Sequence, residues 1–382
     1  MDNGISLCMI IKNEEKCLEN CLNSIKDLVD EIIIVDTGSI DNSKEIAKKF
    51  TDKVYNFEWC DDFSKARNYS ISKATKGWVL ILDADEVIAD IDKEKIRRII
   101  ELNEADAYFF NCRHYFNEMG MSGFISTKGD RYKESQIARG FSISKILRLF
   151  KNKKQYFFEG KIHETIPKSI KKIGDKIFDT DVVIHHFGGL DKKKLTEKKE
   201  NYIRLLEKRL KKGDFAEKSK DYVYYELAIE LINLGKNEQA IEYLEKAVEI
   251  SEEYVYLYNL AAQYLIIDRL EDAERFFKKA IIKSSEYPEK YNYQNPQPYN
   301  SYNPSIYLNL GGIYFKRKEY NKAIKKYERV IELNPTFADA YFNLGIVYRL
   351  NGKLNKVKEL FEKAIELNPG FKEKIEKLGW KM

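Results

Sequence analysis

The sequence predicts an α/β domain followed by an all-α domain built from helical repeats. Three apolar runs alternate with stretches of helical spacing in the first half, and one pattern of large and small residues recurs four times in the second half. The 382 residues, 43% hydrophobic and 33% charged, suffice for two or three domains and exclude a disordered or fibrous chain. We expect the segments 1–190, 191–220, 221–370 and 371–382 to be structurally distinct.

The first half alternates strands with helices. Ile5–Ile11, Glu31–Val35 and Trp78–Leu82 are continuous apolar runs, which are typical of strands buried on both faces. Helical spacing covers Glu14–Leu28 and Asp41–Phe50 between them. This order predicts a mostly parallel sheet between layers of helices. Ligands of such sheets bind beyond the carboxyl ends of the strands, so the residues after each strand are the candidates for chemistry.

The second half carries a repeat of 34 residues. Equivalent segments open at spacings of 33, 50 and 34 residues, on Leu227, Leu260, Leu310 and Leu344. Ala or Val follows each leucine at offsets of 13 and 20, and a large side chain follows at 17, which is the tetratricopeptide pattern of two closely packed antiparallel helices. The long spacing holds an insertion near residues 287–304, rich in Tyr, Asn and Pro, that we predict to be a surface loop. Residues 371–382 are predicted to cap the array.

Composition excludes several classes of protein. Net charge is +5, and residues 191–220 hold twelve Lys or Arg against six Asp or Glu, which predicts a basic linker helix. A nucleic-acid-binding protein would instead spread its basic surface over a recognition module, so no nucleic acid is expected as a partner. Ile5–Ile11 is too short for a signal peptide, and no stretch has the roughly 18 apolar residues of a membrane helix, so we expect no membrane insertion. Five cysteines without a Cys-x-x-Cys pair indicate reduced thiols and a cytoplasmic protein.

Acidic and polar groups follow all three predicted strands. They are Lys12-Asn13-Glu14-Glu15, then Asp36-Thr37-Gly38-Ser39, then Asp83-Ala84-Asp85-Glu86. Two carboxylates at the mouth of a sheet repel each other unless a cation lies between them, and a hard divalent ion that bridges carboxylate and diphosphate would satisfy both. The alternative is that Asp83 caps the following helix while Asp85 and Glu86 lie in its first turn.

Four motifs resemble, in the right order, the nucleotide-sugar domain of family 2 glycosyltransferases, which share the fold called GT-A. They are the first strand with its Lys12-Asn13-Glu14-Glu15 end, Ile34-Val35-Asp36-Thr37-Gly38-Ser39, Asp62-Phe63-Ser64 with Ala66-Arg67-Asn68, and Leu82-Asp83-Ala84-Asp85-Glu86. The match covers about residues 4–190. Arg148-Leu149-Phe150 and Gly160 with His163-Glu164 resemble later motifs of one branch, in which tetratricopeptide repeats follow the catalytic domain. That branch includes the peptide S-glycosyltransferases that modify cysteine in glycocin bacteriocins.

The resemblance implies a role in donor binding for most of the motif residues. Asp36 resembles the carboxylate that accepts a hydrogen bond from a uracil ring, and Asp83 resembles the residue on the ribose side of the nucleotide. Arg67 resembles the donor-binding arginine, although a structural ion pair is the alternative. The remaining motif residues assigned to the nucleotide-sugar site are Asn13, Glu14 and Arg148.

The resemblance also implies a cation, Mn²⁺ or Mg²⁺, held by Asp85 and His186. His186 follows the apolar run Val182–Ile184, and manganese accepts imidazole beside carboxylate and phosphate oxygens. His185 is the competing ligand, and a merely hydrogen-bonded histidine at a strand end is the alternative. The branch has His-x-Gly-Tyr here, whereas this chain reads His186-Phe187-Gly188-Gly189 and lacks the tyrosine.

Glu164 is the candidate general base, with His163 beside it in the predicted catalytic motif. An inverting transfer needs a carboxylate that takes the acceptor's proton as the acceptor attacks the anomeric carbon. An ion pair with Lys161 or another lysine is the alternative interpretation of Glu164. Asp90 and Glu86 are rival bases.

Together these inferences predict a metal-dependent inverting glycosyltransferase that moves a sugar from a UDP-sugar to a peptide or protein held partly by the repeats. A homodimer formed through the repeats is a competing use of them. Two other functions remain open, namely modification of a cell-envelope glycan and a non-catalytic scaffold with a vestigial nucleotide-sugar domain. Residues 114–145 lack periodicity and predict either an acceptor-side loop or a disordered segment without a role.

Overall fold

The computed structural model describes residues 3–117, 124–215, 218–286 and 304–380. The chain divides into two compact units, Met1–Leu205 and Leu206–Met382. Within the described ranges, no helix combines the length and the apolar character needed to cross a bilayer.

The first unit is an α/β domain with the alternation predicted from the sequence. Its elements in chain order are β1 (Ile5–Ile11), α1 (Leu18–Ile25), β2 (Glu31–Asp36), α2 (Ser43–Lys48), β3 (Val54–Asn56), α3 (Phe63–Ile71), β4 (Trp78–Ile81), β5 (Glu86–Ile88), α4 (Asp90–Leu102), β6 (Ala107–Phe116), β7 (Ile125–Ser126), β8 (Gly140–Lys151), α5 (Pro167–Lys172) and β9 (Ile177–His186). The helix α6 (Lys192–Lys212) follows.

One sheet contains all nine strands, in the order β3-β2-β1-β4-β8-β6-β9-β5 with β7 paired to β8. The strands β1 to β4 are parallel, as the apolar runs predicted. The other half is mixed, because β8 is antiparallel to both β4 and β6, and β5 is antiparallel to β9. The sheet is therefore mixed, but β6 is parallel to β9, and among the described residues seven of the nine strands run in one direction, in agreement with the prediction. The direction of a strand depends on the path by which the chain returns to the sheet. An apolar run predicts a buried strand but not its direction.

Apolar cores cover both faces of the sheet. Leu18, Leu22 and Ile25 of α1 are fully buried on one face, and Phe150 and Ile170 lie in a second cluster. Because β1 is buried on both faces, all but one of its seven side chains are buried. These layers hold the carboxyl ends of β1, β2 and β4 at one edge.

Residues 114–145, predicted to be a loop or a disordered excursion, begin and end in strand. β6 continues to Phe116 and β8 starts at Gly140, so that His114 pairs with Ser142 across the ladder. A short 3₁₀ helix, Lys133–Ile137, and β7 lie between them. Residues 118–123 lie outside the described residues. The loop prediction was wrong for both ends of this segment, because cross-strand pairing stabilises polar residues that show no periodicity of their own.

The second unit confirms the repeat. Four helix pairs follow one another, namely α7 (Lys220–Asn233) with α8 (Asn237–Ile250), α9 (Tyr254–Ile266) with α10 (Leu270–Glu286), α11 (Pro304–Lys316) with α12 (Tyr320–Leu333), and α13 (Ala338–Leu350) with α14 (Val357–Leu367). A last helix, α15 (Phe371–Lys377), lies in the segment predicted as a cap. The predicted insertion at 287–304 lies outside the described residues except for Pro304, the first residue of α11.

Each helix pair turns through a residue with a left-handed backbone. Gly235, Asp268, Lys318 and Gly352 have φ values of 72°, 62°, 59° and 73°. They recur with the spacing of the repeat itself, so the tight turn is part of the repeated unit. Two of the four are not glycine, which costs each of those turns some strain.

Small residues bring paired helices into contact, as the pattern predicted. A Cβ atom on Gly311 would collide with the ring of Tyr327 in the partner helix, and one on Gly345 would collide with the ring of Phe361. The offset of 16 residues within both pairs shows that the same close contact is used twice.

Candidate active site

The loops after β1 and β2 are bonded to each other at the edge of the sheet. Asn13, whose φ is 57°, donates its backbone N–H to Ser39 Oγ at 3.0 Å and accepts from the N–H of Ile40 at 2.9 Å. The N–H of Glu14 donates to Ser43 Oγ at 2.6 Å. The two predicted motif loops therefore form one surface, on which Asn13 is exposed.

Asp36 shapes the turn that follows β2. Its carboxylate accepts from the N–H of Gly38 at 3.2 Å and from that of Ser39 at 3.1 Å, and it lies 3.3 Å from Lys44 Nζ. The side chain is only 1% exposed. Contact with a donor base stays a prediction, and it would require access to a carboxylate that the turn now covers.

Asp83 lies between two buried arginines. Its Oδ1 accepts from Arg67 Nη2, and its Oδ2 accepts from Arg148 Nη2 at 3.2 Å. Desolvation alone would raise the pKa of Asp83, but the two guanidiniums outweigh it and hold that pKa well below its usual range. Asp83 therefore remains a carboxylate, held in one orientation with 35% of its side chain exposed.

Glu86 lies beneath Asp83 and is shielded from solvent. It accepts from the N–H of Asp83 at 2.9 Å and from Arg148 Nη2 at 2.5 Å, and its side chain is 2% exposed. Burial raises the pKa of Glu86 although Arg148 opposes the shift. These contacts support the orientation of Asp83 and leave Glu86 no access to an acceptor, which removes it as a rival base.

Asp85 and His186 lie beside each other at the end of β9. His186 Nε2 lies 3.4 Å from Asp85 Oδ2, and both side chains are about one-fifth exposed, at 21% and 19%. Desolvation alone would raise the pKa of Asp85 and lower that of His186, but their mutual attraction outweighs both, so the pKa of Asp85 is lowered and that of His186 is raised. A Cβ atom on Gly188 would collide with Asp85 Oδ2 and lie 2.9 Å from His186 Nε2, so glycine keeps this corner open.

His114, to which the sequence assigned nothing, orients His186. The two Nδ1 atoms lie 3.0 Å apart, and His114 Nε2 lies 2.7 Å from Ser144 Oγ. Burial, His186 and Arg148 lower the pKa of His114 to about 4, so it is neutral and one of its ring nitrogens accepts. This chain of contacts leaves His186 Nε2 directed at Asp85. No local signal marks His114, because its partners are 72 and 30 residues away.

His185 points to the opposite side of the strand. Its Nδ1 lies 2.7 Å from the hydroxyl of Tyr115, and its ring lies 4.7 Å from that of Tyr132. It is fully buried. Successive residues of a strand face opposite sides of a sheet, so of the two histidines only His186 lies beside Asp85.

Glu164 joins the same cluster through Arg67. Its Oε1 accepts from Arg67 Nε at 3.2 Å, and its side chain is 16% exposed. Arg67 therefore connects Glu164 with Asp83. Glu164 does form an ion pair, and the partner that the structure shows is this buried arginine. His163 precedes it with a φ of 54° and is exposed, with its ring 5.2 Å from that of Tyr202.

Helix α6 contributes side chains to this edge, which the sequence did not indicate. The basic segment 191–220 was predicted to be a linker helix, and α6 forms there. Lys194 Nζ pairs with Glu14 Oε2, and Tyr202 lies 5.8 Å from Phe63, ring to ring. The spacing of eight residues between Lys194 and Tyr202 is two helical turns, and could have suggested a shared face.

The residues present suit a divalent cation in part. Among the described residues, no group of three or more His, Cys, Asp or Glu side chains converges as a complete metal site. Asp85 and His186 offer one carboxylate oxygen and one imidazole nitrogen at an open corner, which suits manganese when phosphate oxygens and water complete the coordination. The pair therefore fits a cation that arrives with a diphosphate, and does not fit a cation held by protein alone.

Comparison with known proteins agrees with both units. Residues 6–160 match the glycosyl transferase family 2 profile, and residues 221–254, 311–352 and 338–371 match tetratricopeptide repeat profiles. A TPR repeat-containing protein of Synechococcus elongatus is 31% identical over 195 residues, which are 49% of this chain and 43% of that protein.

Two named glycosyltransferases are also similar. The SPbeta prophage-derived glycosyltransferase SunS of Bacillus subtilis is 29% identical over 64% of this chain and 53% of its own length. An uncharacterized glycosyltransferase of Rickettsia typhi is 28% identical over 60% of this chain and 73% of its own length. The chain spans about half the length of the first two of these relatives. The chain therefore joins a family 2 glycosyltransferase domain to C-terminal tetratricopeptide repeats.

Proposed function

We propose that the chain is a metal-dependent inverting glycosyltransferase that moves a sugar from a UDP-sugar to a peptide or protein. The observation that carries this proposal is the meeting, at one sheet edge, of a fixed carboxylate, a carboxylate–imidazole pair and a third carboxylate that pairs with a buried arginine. They are Asp83, Asp85 with His186, and Glu164.

Donor binding is assigned to the outer part of this edge. Asp83 is ionised and oriented by two arginines, so it suits the hydroxyl groups of a ribose, which donate to carboxylate oxygens. We assign uracil as the base of the donor because the motif around Asp36 resembles that of family 2 glycosyltransferases. Asp85 and His186 would hold the cation, which when bound would neutralise part of the charge of the diphosphate.

Glu164 is assigned to the acceptor's proton. The acceptor atom attacks the anomeric carbon of the donor sugar, and the bond from that carbon to the diphosphate oxygen breaks. The electron pair of that bond leaves with the diphosphate, while the acceptor's proton passes to Glu164. The contact with Arg67 at 3.2 Å occupies one oxygen, Oε1, which leaves Oε2 for the proton. A carboxylate that is fixed through one oxygen and accepts through the other suits a general base.

The repeats are assigned to the acceptor. Stacked tetratricopeptide repeats form an extended surface suited to a polypeptide segment, whereas a small sugar acceptor needs only a pocket. Joining such a surface to a transferase raises the local concentration of a bound polypeptide. All five cysteines are free and three are buried, which supports the cytoplasm as the location.

Thermal-shift titration with UDP-, GDP- and dTDP-sugars, each with and without Mn²⁺, tests the donor and the metal. A ligand present at a hundred times its dissociation constant stabilises the folded state by about 2.7 kcal/mol. We expect stabilisation by UDP-sugars that depends on Mn²⁺. Stabilisation by none of the three donors would contradict the proposal and favour the scaffold.

A chain that ends at Lys220 tests the role of the repeats. We expect it to hydrolyse the UDP-sugar slowly, which shows that the first unit is folded, and to lose transfer to polypeptide. If the shortened chain modifies a protein acceptor at the full-length rate and changes only from dimer to monomer, the repeats serve assembly and the acceptor assignment is wrong.

A further inference from the structure

Two side chains on one face of helix α6 contact the α/β domain at the edge of the sheet. Lys194 contacts Glu14 in the loop after β1. Two turns later, Tyr202 lies against Phe63 of α3, with 5.8 Å between the ring centroids. Residues four apart lie on one face of a helix, and Lys198 is midway between these two anchors. The helix geometry therefore directs Lys198 towards the same edge.

Lys198 differs from Lys194 in its surroundings. In the part of the chain that the structure describes, no carboxylate lies within ion-pair distance of Lys198 Nζ, which lies 6.0 Å from the centre of the Tyr202 ring. The charges of Asp85, Asp83 and Glu164 act on it nonetheless. Each of these three carboxylates already has a partner of its own. Lys198 is exposed, so a ligand can reach it from solvent.

An ammonium group placed in this way suits an anion from outside the chain. Its charge interacts with that of Asp85, one of the pair assigned to the cation, where the proposed donor would bring its phosphates. Lysine binds phosphate oxygens as a compact charge without a fixed geometry, and so suits a diphosphate whose position the cation and ribose determine.

We propose that Lys198 binds the diphosphate of the sugar donor, so that α6 completes the donor site that the strand ends begin. This inference rests on the proposed function. It makes the first turns of α6 part of the active site rather than a linker.

Calorimetric titration of the full chain with UDP in the presence of Mn²⁺ tests this inference. We expect Lys198→Gln to weaken UDP binding by about ten- to a hundredfold, the range for a charged hydrogen bond. Lys198→Arg, which keeps the charge, should bind UDP within about threefold of the parent chain. Lys193→Gln is the matched control, because Lys193 lies on the same helix with 88% of its side chain exposed.

Uridine, followed by ligand-observed NMR, separates a diphosphate contact from a structural one. We expect uridine binding to be the same in the parent chain and in Lys198→Gln, since uridine has no phosphate. Equal UDP affinity in the two proteins, or an equal loss for UDP and uridine, overturns the inference and leaves the proposed function standing. If the parent chain binds none of UDP, GDP and dTDP, the proposed function fails and this inference fails with it.

Discussion

Replacing Arg148 with methionine should unfold the glycosyltransferase domain at a markedly lower temperature. Arg148 is 6% exposed and is bonded to Glu86, which is 2% exposed, at 2.5 Å. Removing one partner of a buried pair leaves an uncompensated charge, which costs about 3–5 kcal/mol. A domain of 150–250 residues loses roughly 2–4 °C per kcal/mol. We therefore expect the transition of the first unit to fall by about 6–20 °C in differential scanning calorimetry.

The same variant should become less stable as pH rises. The pKa of Glu86 is already raised in the folded protein, and Arg148 is the charge that opposes this shift. Without Arg148 the folded protein binds the Glu86 proton more tightly than the unfolded chain does. This tighter proton binding stabilises the folded variant at pH values below the pKa of Glu86 in the unfolded chain, which is about 4.3. The stabilisation is lost as pH rises through the pKa of Glu86 in the folded protein. The stability that Arg148→Met loses relative to the parent chain should therefore be larger at pH 8 than at pH 5.

Two further variants decide whether the unpaired charge is the cause. Adding Glu86→Gln to Arg148→Met removes that charge, and should restore at least half of the lost stability. Arg97→Met is the control, because Arg97 is 42% exposed and pairs with Glu94 on the surface of α4; it should change stability by less than about 0.5 kcal/mol. The reasoning is refuted if Arg148→Met costs under about 1 kcal/mol, or if Glu86→Gln fails to rescue it.

Three other predictions concern the cation, the base and the repeats. Asp85→Asn should abolish the Mn²⁺-dependent part of UDP binding in calorimetry; unchanged metal-dependent affinity would exclude Asp85 as a ligand. Glu164→Gln should slow transfer to a hydroxyl acceptor by roughly 10²–10⁴-fold with UDP affinity unchanged, and transfer at the parent rate would place the base elsewhere. Gly311→Ala should destabilise the second unit by about 1–3 kcal/mol, because the new Cβ collides with the Tyr327 ring. The neighbouring Gly312→Ala, whose Cβ would lie 4.0 Å from the Tyr327 hydroxyl, should instead be neutral or stabilising in thermal unfolding.

The sequence by itself determined the features that depend on local spacing. The apolar runs of β1, β2 and β4 and the repeat of α7 to α14 follow from side-chain periodicity, and periodicity reflects which face of an element is buried. Polar motifs after strands could also be recognised, because parallel strands bring their carboxyl ends to one edge. Asp83 and Asp85 are therefore candidates on their position after β4 alone.

Only the tertiary structure decided how those candidates are held. Arg67 reaches Glu164 across 97 residues, His114 reaches His186 across 72, and Lys194 reaches Glu14 across 180. Such partners leave no periodic signal, because each occupies a single position on its own element. The sequence also contained no local signal for the strand directions in the second half of the sheet or for the placement of α6. Both depend on where the chain returns after a long excursion, and that is determined by packing of the whole domain rather than by neighbouring residues.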